Sequence, residues 1–311
     1  MTFEQIRQIW NRIWFAPVSP APICLYRIFY GAQLFLCSLF MMGDILVFFG
    51  PKGLVSIPTI QSYEHSARFS LLFWLPNSDG SVIFIYVGIL LLSMLVTLGL
   101  FTRPSLLLLL IFLVSLHHRN PAVLNSGDTF FRVAGFLLLL SPCGEMFSLD
   151  CRMKGKQKGA DFDAWAITSE PWAQRLLQLQ IAAVYCQTFW SKIQGDTWWN
   201  GTAVYFATRL EELSRFPVPF IFDDLFCIKL MTYFALAVEV ALWTTIWIRE
   251  LRYWTILAGI TLHLAIDWSM NIPLFEYIMI ASFINFVYPE HVKLFTKWLS
   301  VKWHALRTAA P

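Results

Sequence analysis

Apolar runs of about twenty residues alternate with short polar breaks along most of the chain, and this rhythm predicts membrane-crossing helices. The runs lie near 23–42, 81–101, 105–116, 129–147, 171–192, 225–248, 253–267 and 273–287. The expected architecture is all-α: a polytopic helical membrane bundle of about eight transmembrane helices, with interfacial helices beside them. The third and seventh runs are near the shortest that span a bilayer. Ahead of the first run, Ile6, Ile9, Trp10, Ile13 and Trp14 recur at helical spacing, with Glu4, Arg7, Gln8 and Arg12 between them. That pattern predicts an amphipathic helix on the membrane surface, not the continuous apolar core of a cleavable signal. Pro17, Pro20 and Pro22 end it. Thr102-Arg103-Pro104 reads as a tight turn between the second and third runs, Ser141-Pro142-Cys143-Gly144 as a helix stop, and 201–215 as a second interfacial helix. We read one membrane domain over 1–311: an amphipathic helix over 1–20, the bundle over 21–290 and a basic tail over 291–311.

Composition sharpens the class. Only 14% of the 311 residues are charged and 57% are hydrophobic, against roughly 25% charged in soluble domains. A formal charge of +3 is too small to point to nucleic acid. The six cysteines form no CxxC and no metal-ligand spacing, so neither a disulfide framework nor a metal site is expected. Lys and Arg crowd one side of the predicted topology, with Arg7, Arg12, Arg103, Arg152, Lys154, Lys156, Lys158, Arg249, Arg252 and the tail. The other side carries the sparser Lys52, Arg68, Arg119, Lys192, Arg209 and Arg215. This bias places both termini of a multi-pass membrane protein in the cytoplasm.

The polar residues inside this frame carry the chemistry. The fifth run ends in Phe189-Trp190-Ser191-Lys192, with Trp198 and Trp199 close behind. Lys192 reads either as an interface anchor among tryptophans or as a lysine stripped of water and able to act as a base. An amine turned into the bundle within reach of a histidine would favour the base, and an amine among lipid headgroups the anchor. His117-His118-Arg119-Asn120 ends the third run, and only one of two adjacent histidines can face a bundle. His263 and Asp267 lie four apart on one helical face, so Asp267 is a candidate to orient the imidazole, as is Glu276 at the start of the eighth run. Glu239 sits in mid-run, where a carboxylate must be protonated or bonded to another helix. We prefer a structural hydrogen bond for it. Ionisable groups at membrane depth default to a functional reading, and most of these fall on the outer side. Neither a phosphate loop nor HExxH is present, and no internal repeat of the transporter kind appears.

Three blocks resemble the HTTM family, the membrane domain shared with vitamin K-dependent gamma-carboxylase, in its bacterial stand-alone form. They are Phe189-Trp190-Ser191-Lys192-Ile193 with Trp198-Trp199-Asn200-Gly201; His263 followed by Met270, Phe275, Met279 and Phe286-Val287-Tyr288-Pro289-Glu290; and His117-His118-Arg119-Asn120-Pro121 before Gly127-Asp128. The likeness covers 23–290 and does not extend to the carboxylase's large lumenal domain, which helps bind peptide substrates. It implies a quinone-linked carboxylase or oxygenase at the outer membrane face. Reduced vitamin K or menaquinone would be the cofactor, with oxygen and carbon dioxide as co-substrates. Lys192 would be the base, with His263 and one of His117 or His118 as further catalytic groups. Trp190, Trp198, Trp199, Asn120, Asp267 and Glu276 would line the cofactor site. The implied partners are the bilayer, an isoprenoid quinone, and a protein or peptide substrate or redox partner. The alternative is a non-catalytic membrane partner, a maturation, export or immunity factor that binds a lipid, peptide or redox protein.

Overall fold

A computed structural model describes residues 2–63, 68–159, 162–213, 215, 220–272 and 274–309. In chain order the helices are α1 (Phe3–Trp14), α2 (Ala21–Met41), α3 (Ile45–Phe49), α4 (Ile57–Tyr63), α5 (Asp79–Leu98), α6 (Thr102–Arg119), α7 (Ser126–Leu140), α8 (Leu149–Lys158), α9 (Trp172–Lys192), α10 (Asp196–Trp199), α11 (Ala203–Ala207), α12 (Leu225–Trp243), α13 (Arg252–Ser269), α14 (Phe275–Ser282) and α15 (Pro289–Ala309). Among the described residues there is no strand beyond an isolated bridge, Val18 to Ser169. The chain divides into two compact units, Met1–Arg175 with Val287–Pro311, and Leu176–Phe286.

The first unit is built on α2, α5, α6 and α7, with α15 against α2. Lipid tails are as apolar as leucine, so close packing and hydrogen bonds hold such helices together more than burial does. Gly31 shows the packing: a Cβ there would lie 2.5 Å from Thr97 Oγ1 and 2.7 Å from the Thr97 nitrogen, so only glycine lets α2 and α5 approach this closely. Tyr30 supplies a hydrogen bond, its hydroxyl donating across to the Phe131 carbonyl of α7 at 3.0 Å. Asp150 caps α6 from α8, accepting from the Phe101 and Thr102 nitrogens at 2.9 and 2.8 Å and from the Thr102 hydroxyl. In the second unit α13 packs on α12 and α14, and α11 lies against α12.

The helical membrane bundle expected from the sequence is what the structure shows, with three helices, α2, α5 and α12, long and apolar enough to cross a bilayer by length and composition. The helices α6, α9 and α13 have comparable lengths of 18, 21 and 18 residues but carry polar side chains along them. Several boundaries move. Thr102-Arg103-Pro104 is the first turn of α6 and not a loop; the reversal comes earlier, with Phe101 left-handed at φ 46°. Proline is tolerated there because first-turn nitrogens have no intrahelical acceptor. The fourth run stops at Leu140, where Ser141-Pro142 breaks the helix. The interfacial helix expected over 201–215 is cut to α11 plus a 3-10 turn at Glu211–Leu213, since Arg209 bonds the Tyr205 and Phe222 carbonyls and closes the helix. Ser214, within that range, lies outside the described residues. The eighth run gives α14 and a 3-10 turn over Phe283–Phe286. Pro273, its expected start, also lies outside the described residues, as do 310 and 311 of the basic tail, most of which is α15.

Candidate functional site

The second unit gathers ionisable residues from four helices. Lys192 is the last residue of α9, and its amine turns into the bundle to donate to Glu239 Oε1 of α12. The pair is sheltered: the Glu239 side chain is 6% exposed and that of Lys192 28%. The Trp198 ring covers the amine from outside, 5.1 Å from Nζ to centroid. That ring is placed by the short helix α10, and the turn before it is tied by Trp199 Nε1 donating to the Ile193 carbonyl and the Tyr233 hydroxyl donating to the Trp199 carbonyl. Trp190 and Trp199 are exposed and stand in the manner of interfacial tryptophans, so of the three only Trp198 touches the lysine. A lysine that folds back onto a mid-span carboxylate is not snorkelling to the headgroups. The amine meets a carboxylate where a histidine was sought.

One turn along α12 from Glu239 lies Trp243. Glu239 Oε2 and Trp243 Nε1 are both buried, and neither has a hydrogen-bond partner among the described residues. Residues four apart share a helix face, so a lone acceptor and a lone donor lie on one face of α12.

His263, on α13, is held at both ring nitrogens. Nε2 meets the Tyr185 hydroxyl at 2.6 Å and Nδ1 meets Glu276 Oε2 from the first turn of α14. All three residues are buried, and the Phe283 ring packs on both Tyr185 and His263. Tyr185 and Lys192 come from one face of α9, two turns apart, so a single helix contributes to both pairs.

Of the two carboxylates expected to orient the histidine, Glu276 does so and Asp267 does not, which corrects the pairing drawn from the i, i+4 spacing. Asp267 is taken by the Arg215 guanidinium, with two contacts at 3.3 and 3.4 Å, and by the Tyr277 hydroxyl at 3.0 Å. A forked guanidinium matches both carboxylate oxygens, which a single imidazole nitrogen cannot do. Tyr185 was missed by the sequence reasoning, although it lies two turns before Lys192 on the same face of α9.

The remaining candidates belong to the first unit. His118 uses both ring nitrogens, at the Phe69 carbonyl (2.7 Å) and Arg132 (3.2 Å). His117 is buried, its Nε2 lies 3.8 Å from Asp128 Oδ1, and its Nδ1 has no partner among the described residues. Asn120 has both ends of its amide bonded to backbone, donating to the Phe48 carbonyl and accepting from the Ala122 nitrogen.

The family model of the HTTM domain matches residues 15–291. The chain belongs to the HTTM domain family. It is thus a membrane protein of the family related to vitamin K-dependent carboxylase. No curated protein and no solved structure matches it. The matched stretch of the HTTM domain contains Tyr185, Lys192, Glu239, His263 and Glu276 alike.

Proposed function

We propose that this chain is a hydroquinone-dependent membrane enzyme, a carboxylase or oxygenase, in which the Lys192–Glu239 pair takes a proton from the bound hydroquinone. The observation that carries the reading is the Lys192 amine turned into the bundle onto a carboxylate whose second oxygen is buried without a partner among the described residues. The donor set suits a hydroquinone such as reduced vitamin K or menaquinone: a phenolic O–H both donates and accepts, and Glu239 Oε2 and Trp243 Nε1 supply an acceptor and a donor on one face. Bound there, the hydroquinone would supply the reducing equivalents for oxygen chemistry.

The protein's own part is proton handling. With the pair's one proton on Nζ, Glu239 Oε2 is the acceptor and the ammonium stabilises the anion left beside it. With that proton on Glu239, the Lys192 amine is the acceptor. Either way one O–H bond breaks, the pair gains one proton, and the new anion faces a cationic pair in a medium where that attraction is strong. Trp198 covers one side of the amine, and Tyr185, His263 and Glu276 form a second line of groups able to hold or pass a proton. The excess of Lys and Arg supports cytoplasmic termini and an outward-facing site.

Binding of reduced and oxidised menaquinone to the purified protein, across pH, tests this in wild type, Lys192→Ala and Glu239→Gln. Hydroquinone binding that titrates in wild type and is lost in both variants is the expected result. Absence of quinone binding in the wild type would overturn the reading and favour the non-catalytic membrane partner.

A further inference from the structure

A second ligand surface lies in the first unit, apart from the residues proposed for quinol chemistry. A groove of about 690 Å³ runs along α8, between the end of α5 and the turn before α9. Its floor is apolar, with Leu98, Phe147 and Phe162, and its rim carries Arg152 and Lys156. The two cations stand one turn apart on α8 and so point the same way. Neither has an acidic partner among the described residues. Among the described residues the nearby carboxylates are engaged elsewhere: Asp150 caps α6, Glu145 pairs with Lys154 at 3.1 Å, and Asp163 accepts from the Trp165 nitrogen at 2.9 Å.

Two local features keep the apolar floor in place. Phe147 is held left-handed at φ 52°, a conformation costly for a residue with a Cβ. The fully buried Arg27 stabilises it by donating to the Phe147 carbonyl at 2.6 Å, and the Phe147 ring then packs edge-on against Trp165. Gly155 has no Cβ, and one there would meet the Phe162 ring at 2.7 Å, so glycine is what lets that ring lie on α8. Lys293 of α15 covers the other side of Trp165, 5.5 Å from its centroid.

We infer that this groove is a binding site for an anionic phospholipid of the adjoining leaflet, its phosphate between Arg152 and Lys156 and an acyl chain over Leu98, Phe147 and Phe162. The groove opens at the end of α5, one of the helices apolar enough to cross the bilayer, so a headgroup reaches the cations without leaving the interface. Cations without an acidic partner among the described residues, beside an apolar trough, match an anionic amphiphile better than they match a soluble anion.

The test uses full-length protein in vesicles of phosphatidylcholine and phosphatidylglycerol in equal parts. Spin-labelled forms of each lipid report the fraction held motionally restricted by the protein. Wild type is expected to favour the labelled phosphatidylglycerol, and Arg152→Ala/Lys156→Ala to lower that preference on the order of tenfold. Both side chains are exposed, so the variant's thermal midpoint should match wild type. Lys154→Ala removes one charge from the same helix but outside the groove, and should keep most of the preference. Equal retention of the two lipids by wild type, an unchanged double variant, or an equal loss in Lys154→Ala would each overturn the site. So would loss of the preference on adding inorganic phosphate but not chloride at matched ionic strength, because that would mark a site for a soluble anion.

Discussion

The two units bury charged side chains in opposite ways. In the first, Arg27 donates to the Cys143 and Phe147 carbonyls, and Arg119 to those of Gly50 and Val55 at 3.0 Å each. These guanidiniums cannot lose their protons, and they satisfy backbone that loops leave bare inside an apolar fold. In the second unit ionisable groups meet each other: Lys192 with Glu239, and Tyr185 with His263 and Glu276. Each of these can change protonation, and one carboxylate oxygen of the cluster has no partner among the described residues. A buried charge bound to carbonyls is architecture, whereas a buried charge bound to another titratable group with an open position is equipped for chemistry.

The largest effect should come from breaking the first arrangement. Arg119→Met removes two charged hydrogen bonds and strands two carbonyls, which should cost about 3–6 kcal/mol. Unfolding of the protein in mixed micelles by added SDS measures it, and a loss below about 1 kcal/mol would show that the carbonyls find other donors. Quinol binding by the folded fraction should survive.

In the second arrangement, function should fall further than stability. Lys192→Met leaves Glu239 buried without its cation, at a cost of about 1–3 kcal/mol, less than for a fully buried pair because Lys192 is 28% exposed. Lys192→Met/Glu239→Leu should recover most of that stability, since apolar replacements of a buried pair are often neutral. It should recover no quinol binding. A double variant that binds hydroquinone like wild type would remove the distinction between the units.

Tyr185→Phe sharpens the contrast at smaller scale. It deletes the hydroxyl at His263 Nε2 while Glu276 still holds Nδ1, so stability should fall by about 1 kcal/mol. Hydroquinone binding should weaken severalfold by isothermal titration, while binding of the oxidised quinone, which has no proton to give, stays within error.

The smallest effect concerns Asp224, the exposed N-cap of α12, which accepts from the Cys227 nitrogen at 2.8 Å. That backbone hydrogen bond holds its carboxyl below the usual range. A carboxyl depressed in the folded state stabilises above its unfolded value, near 3.9, and loses that contribution as pH falls through the lower folded value. Asp224→Ala should therefore lower Tm slightly at neutral pH, with the gap to wild type closing in acid. A gap independent of pH would mean the cap does not act through its charge.

Helices and membrane class were legible because apolar run length is a one-dimensional property. The runs at 23–42, 81–101 and 225–248 became α2, α5 and α12 within a few residues at most ends. The notable misses came where a contact to a more distant part of the chain set the boundary, as the bond from Arg209 to the Phe222 carbonyl does past the end of α11. The candidate site was half legible. Lys192, His263 and Glu276 stood out as polar residues in apolar surroundings, but Tyr185 passed as one more aromatic and Glu239 as a carboxylate in need of some partner.

By itself, then, the sequence determined that the chain is an α-helical membrane protein of the HTTM kind, and which ionisable residues lie along its helices. Only the tertiary structure decided who pairs with whom. Spacing along a helix sets which face a residue is on, so His263 and Asp267 share one. Which side chain arrives from the neighbouring helix is fixed by packing in three dimensions. That packing brought Glu276 to the histidine, Arg215 to Asp267 and Glu239 to Lys192.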